Sequence, residues 1–230
     1  MVPKQLTLAG IRLQDNATFE NFYAKQNQQV FAFLHDLFLS DENYTYLWGN
    51  TGAGCSHLLQ ASCHNAHDLN KQAMYLPLKE FIHLTPDVFE NLEIMDLVAI
   101  DDIQCVAGKA NWEEALFHLF NRLRANKCYL IIGANTPPNS LNILLPDLLS
   151  RLTWGITFKL NGLIDDDKVA ALCMRATHRG MHMPEEVANY LLRHYSRTTS
   201  HLFTALDKLD LASLAQQRKL TIPFVKQVLS

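Results

Sequence analysis

The chain has 230 residues, of which 48% are hydrophobic and 19% are charged, and its net charge is −3. This composition excludes intrinsic disorder, and the small net charge excludes the strong basic field of dedicated nucleic-acid-binding proteins. The N-terminus lacks the apolar core of a signal peptide, and no run of about 18 apolar residues occurs, so we expect a cytoplasmic protein without a membrane segment.

Short apolar runs alternate with helical patterns in the first two thirds of the chain. The runs predict strands at residues 44–48, 73–77, 97–101, 129–134 and 156–160, and the intervening segments have the apolar spacing of crossover helices. After residue 162 the pattern is helical throughout. Its first helix is predicted to have its N-cap in the run "DDD" and its C-cap at Gly180. The sequence therefore predicts an α/β domain with a parallel five-stranded sheet flanked by helices, followed by a small all-helical domain.

The stretch "LWGNTGAGCSHLL" has the spacing of a phosphate-binding P-loop, G-x-x-x-x-G-K-[ST], except that Cys55 occupies the lysine position. In such a loop, backbone amides and the N-terminus of the following helix bind an anion. The missing ammonium would otherwise reach the β and γ phosphates, so we expect weaker binding and still weaker hydrolysis. A vestigial loop and residual nucleotide binding both remain open. The candidate nucleotide-binding residues here are Gly49, Asn50, Thr51, Gly52, Ala53, Gly54, Cys55, Ser56 and His57.

Polar side chains also follow two later strands. Asp101 and Asp102 end the apolar run "LVAID", where a carboxylate beside a P-loop can hold Mg²⁺ directly or through water. Asn135 follows the strand at 129–134 and could hold a water or the γ phosphate, although Asn is also a natural turn residue before Pro137. The sequence predicts a second group of nucleotide-site residues at this edge of the sheet.

Arg151 stands near the end of a short predicted helix in "DLLSRLTWG". In one interpretation its guanidinium binds a phosphate with two hydrogen bonds. In the second it has a structural role, capping the helix or pairing with Asp147. The residues alone favour the second interpretation.

These elements, in this order, resemble the AAA+ ATPases of the bacterial replication-initiator class. More narrowly, they resemble the DnaA-homologous proteins that mediate regulatory inactivation of the initiator DnaA. The resemblance covers nearly the whole chain through "QLTL", "ATFENF", "GAGCSHLL", "AIDDIQCVAG", "TPP", "LPDLLSRLTWG" and "QRKLTIPFVKQVL". It implies an AAA+ P-loop core at residues 18–162, a helical lid at 163–230, and an N-terminal peptide with linker at 1–17.

The resemblance also implies two partners. Gln5, Leu6 and Leu8 would bind the sliding clamp, the beta subunit of the replicative DNA polymerase, because family members carry a clamp-binding Gln-Leu-x-Leu peptide. Arg151 matches the family's arginine finger, which replaces the capping interpretation, and would stimulate ATP hydrolysis in trans on a neighbouring DnaA molecule. The initiator's DNA-binding domain would lie beyond the lid, so sequence-specific DNA binding is not expected.

Nucleotide chemistry within this chain is expected to be limited. His201 stands where initiator relatives have a lid arginine, and so both cations expected near the phosphates, at positions 55 and 201, are absent or weakened. The resemblance implies ADP, or another adenine or cytidine nucleotide, with Mg²⁺ at Ser56 and Asp101, or an apo form. Phe19 and Phe22 would pack either near the base or in the core.

The resulting interpretation is a regulatory adaptor without ATPase activity of its own, which inactivates DnaA and prevents re-initiation of replication. Two alternatives are a loader or scaffold that binds an initiator without triggering hydrolysis, and a self-sufficient ATPase. The sequence leaves open whether copies of the chain self-associate.

Overall fold

The computed structural model describes residues 13–229. The predicted clamp-binding residues Gln5, Leu6 and Leu8 lie outside this range. The chain forms two compact units. Within the described residues, one comprises 13–19 together with Gln29–Leu160, and the other comprises Glu20–Gln28 together with 161–229.

The first unit is built on a five-stranded sheet. Its strands are β1 (Tyr44–Gly49), β2 (Ala73–Pro77), β3 (Leu97–Asp101), β4 (Tyr129–Ala134) and β5 (Ile156–Leu160). They lie in the order β2-β3-β4-β1-β5, and every neighbouring pair is parallel. This confirms the predicted α/β architecture. Because all strands run the same way, their carboxyl ends, which carry the polar candidates, meet at one edge.

Helices connect the strands of this sheet, and their apolar faces explain their packing. On the fourth helix, Leu116, Leu119, Phe120 and Leu123 recur at helical spacing and are buried. α1 (Gln28–His35) precedes β1, and the helices between consecutive strands are α2 (Cys55–Asp68), α3 (Leu78–Phe81), α4 (Ala110–Ala125) and α5 (Pro146–Leu152).

The second unit is helical, as predicted. It contains α6 (Asp165–His178), α7 (Glu185–His194), α8 (Thr199–Gln216) and α9 (Ile222–Leu229), packed around a leucine-rich core. Gly180 ends α6 as expected. Its φ is +73°, its N–H donates to the Thr177 carbonyl, and the Met181 N–H donates to the Ala176 carbonyl. This pair of bonds is a Schellman motif, which a glycine at C′ favours.

The expected aspartate N-cap of α6 is wrong. Ile164 takes the N-cap position and Asp165 is the first helical residue. Asp167 is instead buried and accepts hydrogen bonds from Lys25 Nζ (2.9 Å) and Gln26 Nε2 (2.8 Å). The aspartate run therefore ties residues 20–28 to the helical unit. Within residues 13–229, no helix is long and apolar enough to cross a membrane.

Candidate functional site

The loop between β1 and α2 has the backbone of a phosphate-binding loop. Gly52 (φ +84°) and Gly54 (φ +106°) occupy the left-handed region, where a side chain would be strained. α2 starts at Cys55, and the first amide that donates back into the helix is that of Leu58, to the Gly54 carbonyl at 3.0 Å. The amides of Cys55 and Ser56 lie in the first turn, and together with the helix N-terminus they can bind an anion.

Cys55 does not replace the missing lysine. Its Sγ donates to the carbonyl of Ala134 at the end of β4, 3.8 Å away. Burial, together with the charges of Asp101 and Asp102, raises the pKa of the thiol to about 12. The group therefore stays neutral at physiological pH, supplies no cation to a phosphate and lacks the thiolate that a reactive cysteine needs.

Asp101 lies at the carboxyl end of β3, almost fully buried, and two donors bind its carboxylate. The Tyr75 hydroxyl donates to Oδ2 at 2.8 Å, and the Asp102 N–H donates to Oδ1 at 2.9 Å. Gly133 on β4 makes room for the carboxylate, because a Cβ there would approach Oδ1 to 2.6 Å. Burial raises the pKa of Asp101 above its ordinary value, although the bonds from Ser56 and Tyr75 oppose the shift.

This arrangement fits Mg²⁺ held in the manner of P-loop proteins. The Ser56 hydroxyl would ligate a metal that the phosphates of a nucleotide share, and Asp101, whose pKa the nearby Ser56 hydroxyl lowers, would hold that metal directly or through its water. In the described part of the chain, no group of three His, Cys, Asp or Glu side chains forms a metal site by itself. Any metal here would therefore depend on the nucleotide.

Gln104 connects the other two polar candidates. Its Nε2 donates to Asp102 Oδ1 at 2.7 Å, and its Oε1 accepts the backbone N–H of Asn135 at 3.3 Å. Asp102 adopts a left-handed φ of +57°, and Asn135 is exposed at the end of β4. The structure thus brings Asp101, Asp102 and Asn135 together at one sheet edge, as predicted.

Sequence reasoning missed Tyr75 and Gln104. Tyr75 lies on β2, and its contact with Asp101 depends on β2 and β3 being neighbours, which the motif spacing does not reveal. The only signal for Gln104 was its position just after the two aspartates.

The remaining nucleotide candidates occupy separate environments. His57 Nε2 lies 2.7 Å from the Thr18 carbonyl oxygen, which joins the start of α2 to the chain before α1. Phe19 is buried edge-on against Phe31, with ring centroids 5.2 Å apart, and thus packs in the core. His201 belongs to the helical unit, where it is exposed and its Nδ1 lies 3.4 Å from Ser196 Oγ.

Arg151 lies in the last turn of α5, half-buried. Its guanidinium carbon lies 5.2 Å from the centroid of the Trp154 ring. Among residues 13–229 no carboxylate forms an ion pair with it, and the alternative pairing with Asp147 is not formed. A planar cation without an internal counter-charge is available to an external anion.

The helix that carries Arg151 is held in place by a buried carboxylate on α4. Glu113 is fully buried and accepts the backbone N–H groups of Gly108 (2.7 Å), Leu144 (2.8 Å) and Leu145 (2.8 Å). Leu145 is the residue just before α5. Glu113 therefore fixes where the arginine-bearing helix begins.

A P-loop after the interior strand β1, an acidic β3 end near that loop and an accompanying helical unit define the AAA+ class of P-loop domains. Residues 13–159 match the model of the bacterial DnaA ATPase domain, and residues 165–229 match that of the Hda lid domain. The chain belongs to the bacterial DnaA ATPase-domain family. Its lid match confirms the predicted resemblance to the DnaA-homologous regulators.

Solved structures show the same fold. Domain III of the Thermotoga maritima replication initiation protein DnaA superposes with a TM-score of 0.76 at 22% identity, covering 95% of this chain and 98% of that one. AMPPCP-bound DnaA from Aquifex aeolicus gives 0.72 at 21% identity, covering 89% and 68%. The Thermotoga maritima Holliday junction branch migration motor RuvB gives 0.64 at 13% identity, covering 92% and 72%.

Proposed function

We propose that this protein is a regulatory adaptor that binds the sliding clamp through Gln5, Leu6 and Leu8 and stimulates ATP hydrolysis by DnaA in trans. It acts in the cytoplasm at the replisome and prevents re-initiation of chromosome replication. The observation that carries the proposal is Arg151, a guanidinium at the end of α5 with no carboxylate partner in residues 13–229.

The chain's own nucleotide site supports a binding role over a catalytic one. A neutral Cys55 leaves the phosphates to backbone amides and the helix N-terminus, which suit a bound diphosphate better than a triphosphate undergoing hydrolysis. We propose that this site holds ADP or a similar nucleotide, with Mg²⁺ where the phosphates help to bind it, and that the bound nucleotide sets the shape of the DnaA-facing surface. AMPPCP, an ATP analogue, occupies related DnaA structures, which supports an adenine nucleotide.

The experiment starts from DnaA loaded with radiolabelled ATP and follows its conversion to ADP. Conversion is expected only when this protein and DNA-loaded clamp are both present, because we propose that the adaptor acts on DnaA while bound to the clamp. A Gln5→Ala, Leu6→Ala variant should lose the clamp effect while retaining its fold. No conversion with active DnaA would contradict the proposal and favour a scaffold that binds initiator without triggering hydrolysis. Turnover of ATP by this protein alone would instead identify a self-sufficient ATPase.

A further inference from the structure

Two arginines, one of them the proposed trans-acting residue Arg151, lie against the indole ring of Trp154. The guanidinium carbon of Arg124, from the last turn of α4, lies 3.8 Å from the Trp154 ring centroid, and that of Arg151 lies 5.2 Å away. Both distances fall within the range in which the negative face of an indole attracts a cation. The ring therefore holds together two like charges that would otherwise repel each other.

The backbone around Trp154 keeps the ring in place. The Trp154 N–H donates to the Arg151 carbonyl at 3.1 Å, and the Tyr44 hydroxyl on β1 donates to the Leu152 carbonyl at 3.0 Å. Gly155 follows with φ +78°, and a Cβ there would lie 2.6 Å from the Tyr44 carbonyl oxygen. The turn after α5 thus packs closely against β1, which limits movement of the indole ring.

The ring is also exposed enough to face a partner. Trp154 is 45% exposed, although it lines a cavity of about 220 Å³ with Tyr44, Phe120 and Leu123. A large aromatic surface left partly in water suits a contact made with another molecule. Arg124 is exposed beside it, so the surface carries a second permanent positive charge.

We propose that Trp154 is a positioning residue for Arg151. Its ring holds the Arg151 guanidinium at the end of α5 until an anion of the partner binds it. Arg124, whose guanidinium lies closer to the ring, then keeps the Trp154 side chain in the same place. Moving the Arg151 guanidinium from the ring to a partner's anion should cost little free energy. Its contact with Trp154 is the longer of the two, and no carboxylate in residues 13–229 pairs with it. The proposal rests on the proposed trans-acting role of Arg151, and it assigns Trp154 and Arg124 to the same surface.

The first test examines the free protein and does not depend on DnaA. In ¹⁵N-labelled protein, the ring current of Trp154 should shift the Nε–H proton of Arg151, and Trp154→Phe should reduce the shift. Trp154→Ala should abolish it. If Trp154→Ala is too unstable for spectroscopy, the graded change in Trp154→Phe carries the test. If neither substitution changes the chemical shift of the Arg151 Nε–H proton, the proposed contact between Trp154 and Arg151 is wrong, and the proposed function is left untouched.

The second test measures stimulated hydrolysis on DnaA as a function of adaptor concentration. Trp154→Ala should lower the maximal rate at least tenfold and change the half-maximal concentration less than threefold, because the partner still docks but the guanidinium is misplaced. Trp154→Phe should recover most of the rate because a phenyl face still attracts a cation, and Arg124→Gln should give an intermediate loss. Arg193→Gln, a charge-matched control on the helical unit, should leave the rate unchanged.

Two outcomes of the second test would overturn the proposal in different ways. An unchanged maximal rate in Trp154→Ala, or a loss seen only in the half-maximal concentration, would make Trp154 a packing residue. A wild-type protein that gives no stimulation would overturn the proposed function and, with it, the positioning role of Trp154, but not the contact between Trp154 and Arg151 that the first test measures.

Discussion

Cys55 is the residue at which this loop departs from the P-loop pattern. The loop glycines, the start of α2 and the Ser56–Asp101 contact have the arrangement of a working P-loop, but the residue that should supply a cation is a neutral thiol bonded to Ala134. The site therefore retains its dipolar attraction for phosphate and lacks the point charge.

Replacing Cys55 by lysine should restore that charge. Because a hydrogen bond to a charged group contributes about 1.5–3 kcal/mol, Cys55→Lys is expected to tighten nucleotide binding roughly ten- to hundredfold. Isothermal titration of ADP and ATP measures the change. Cys55→Met, long and neutral, is the matched control, and equal affinities in the two variants would show that charge at position 55 is not what limits binding.

At the level of single elements, the sequence predicted the sheet well. All five predicted strands are present, and only β1 runs one residue further, to Gly49, because apolar runs bounded by turn residues report buried parallel strands directly. The contacts of Tyr75, Gln104 and Glu113 could not be predicted. Each depends on which strands are neighbours or on a loop that returns to a helix, and neither local periodicity nor motif spacing contains that information.

Glu113 gives the first prediction at this scale, which concerns the start of α5. Glu113→Ala removes a buried carboxylate and leaves the amides of Gly108, Leu144 and Leu145 without their acceptor, and should lower the free energy of unfolding by about 3 kcal/mol. Urea unfolding measures the loss. Glu114→Ala, on the exposed neighbouring residue, should cost less than about 0.5 kcal/mol. Equal losses in both variants would mean that the carboxylate does not hold the loop.

The second prediction at this scale concerns the pair formed by Lys25 and Asp167 in the helical unit. The hydrogen bond from Lys25 lowers the pKa of Asp167, and the same pair raises the pKa of Lys25. The stabilisation from a lowered carboxyl pKa is fully present above the ordinary aspartate value of 3.8 and is lost as pH falls through the lower folded value. The contribution from Lys25 persists below the ordinary lysine value of 10.5 and is lost as pH rises through the higher folded value.

Acid unfolding followed by circular dichroism tests this account of Asp167. The stability of the wild type should fall more steeply than that of Asp167→Asn below about pH 4. Asp166→Asn, on an exposed neighbour, should follow the wild type. Parallel acid profiles for all three proteins would contradict a role for Asp167 in joining residues 20–28 to the helical unit.

At the scale of the whole molecule, the two units contain different candidate functional residues. The α/β unit holds the lysine-free P-loop and, on α5, the arginine that its own described carboxylates leave unpaired. The helical unit presents His201, which is exposed on α8. Residues 20–28 group with the helical unit through contacts between segments more than 130 residues apart, such as Lys25 with Asp167, and such distant pairings give no local signal in the sequence.

The central claim is that Arg151 acts on ATP bound to DnaA. Single-turnover hydrolysis of labelled ATP on DnaA, with saturating adaptor and DNA-loaded clamp, tests it most directly. Since arginine fingers contribute about 10³–10⁵ in rate, Arg151→Ala should reduce stimulation at least a hundredfold, and Arg151→Lys should recover little because it lacks the planar fork. Clamp binding should be unchanged in both variants. Stimulation at the wild-type rate by Arg151→Ala would contradict the account.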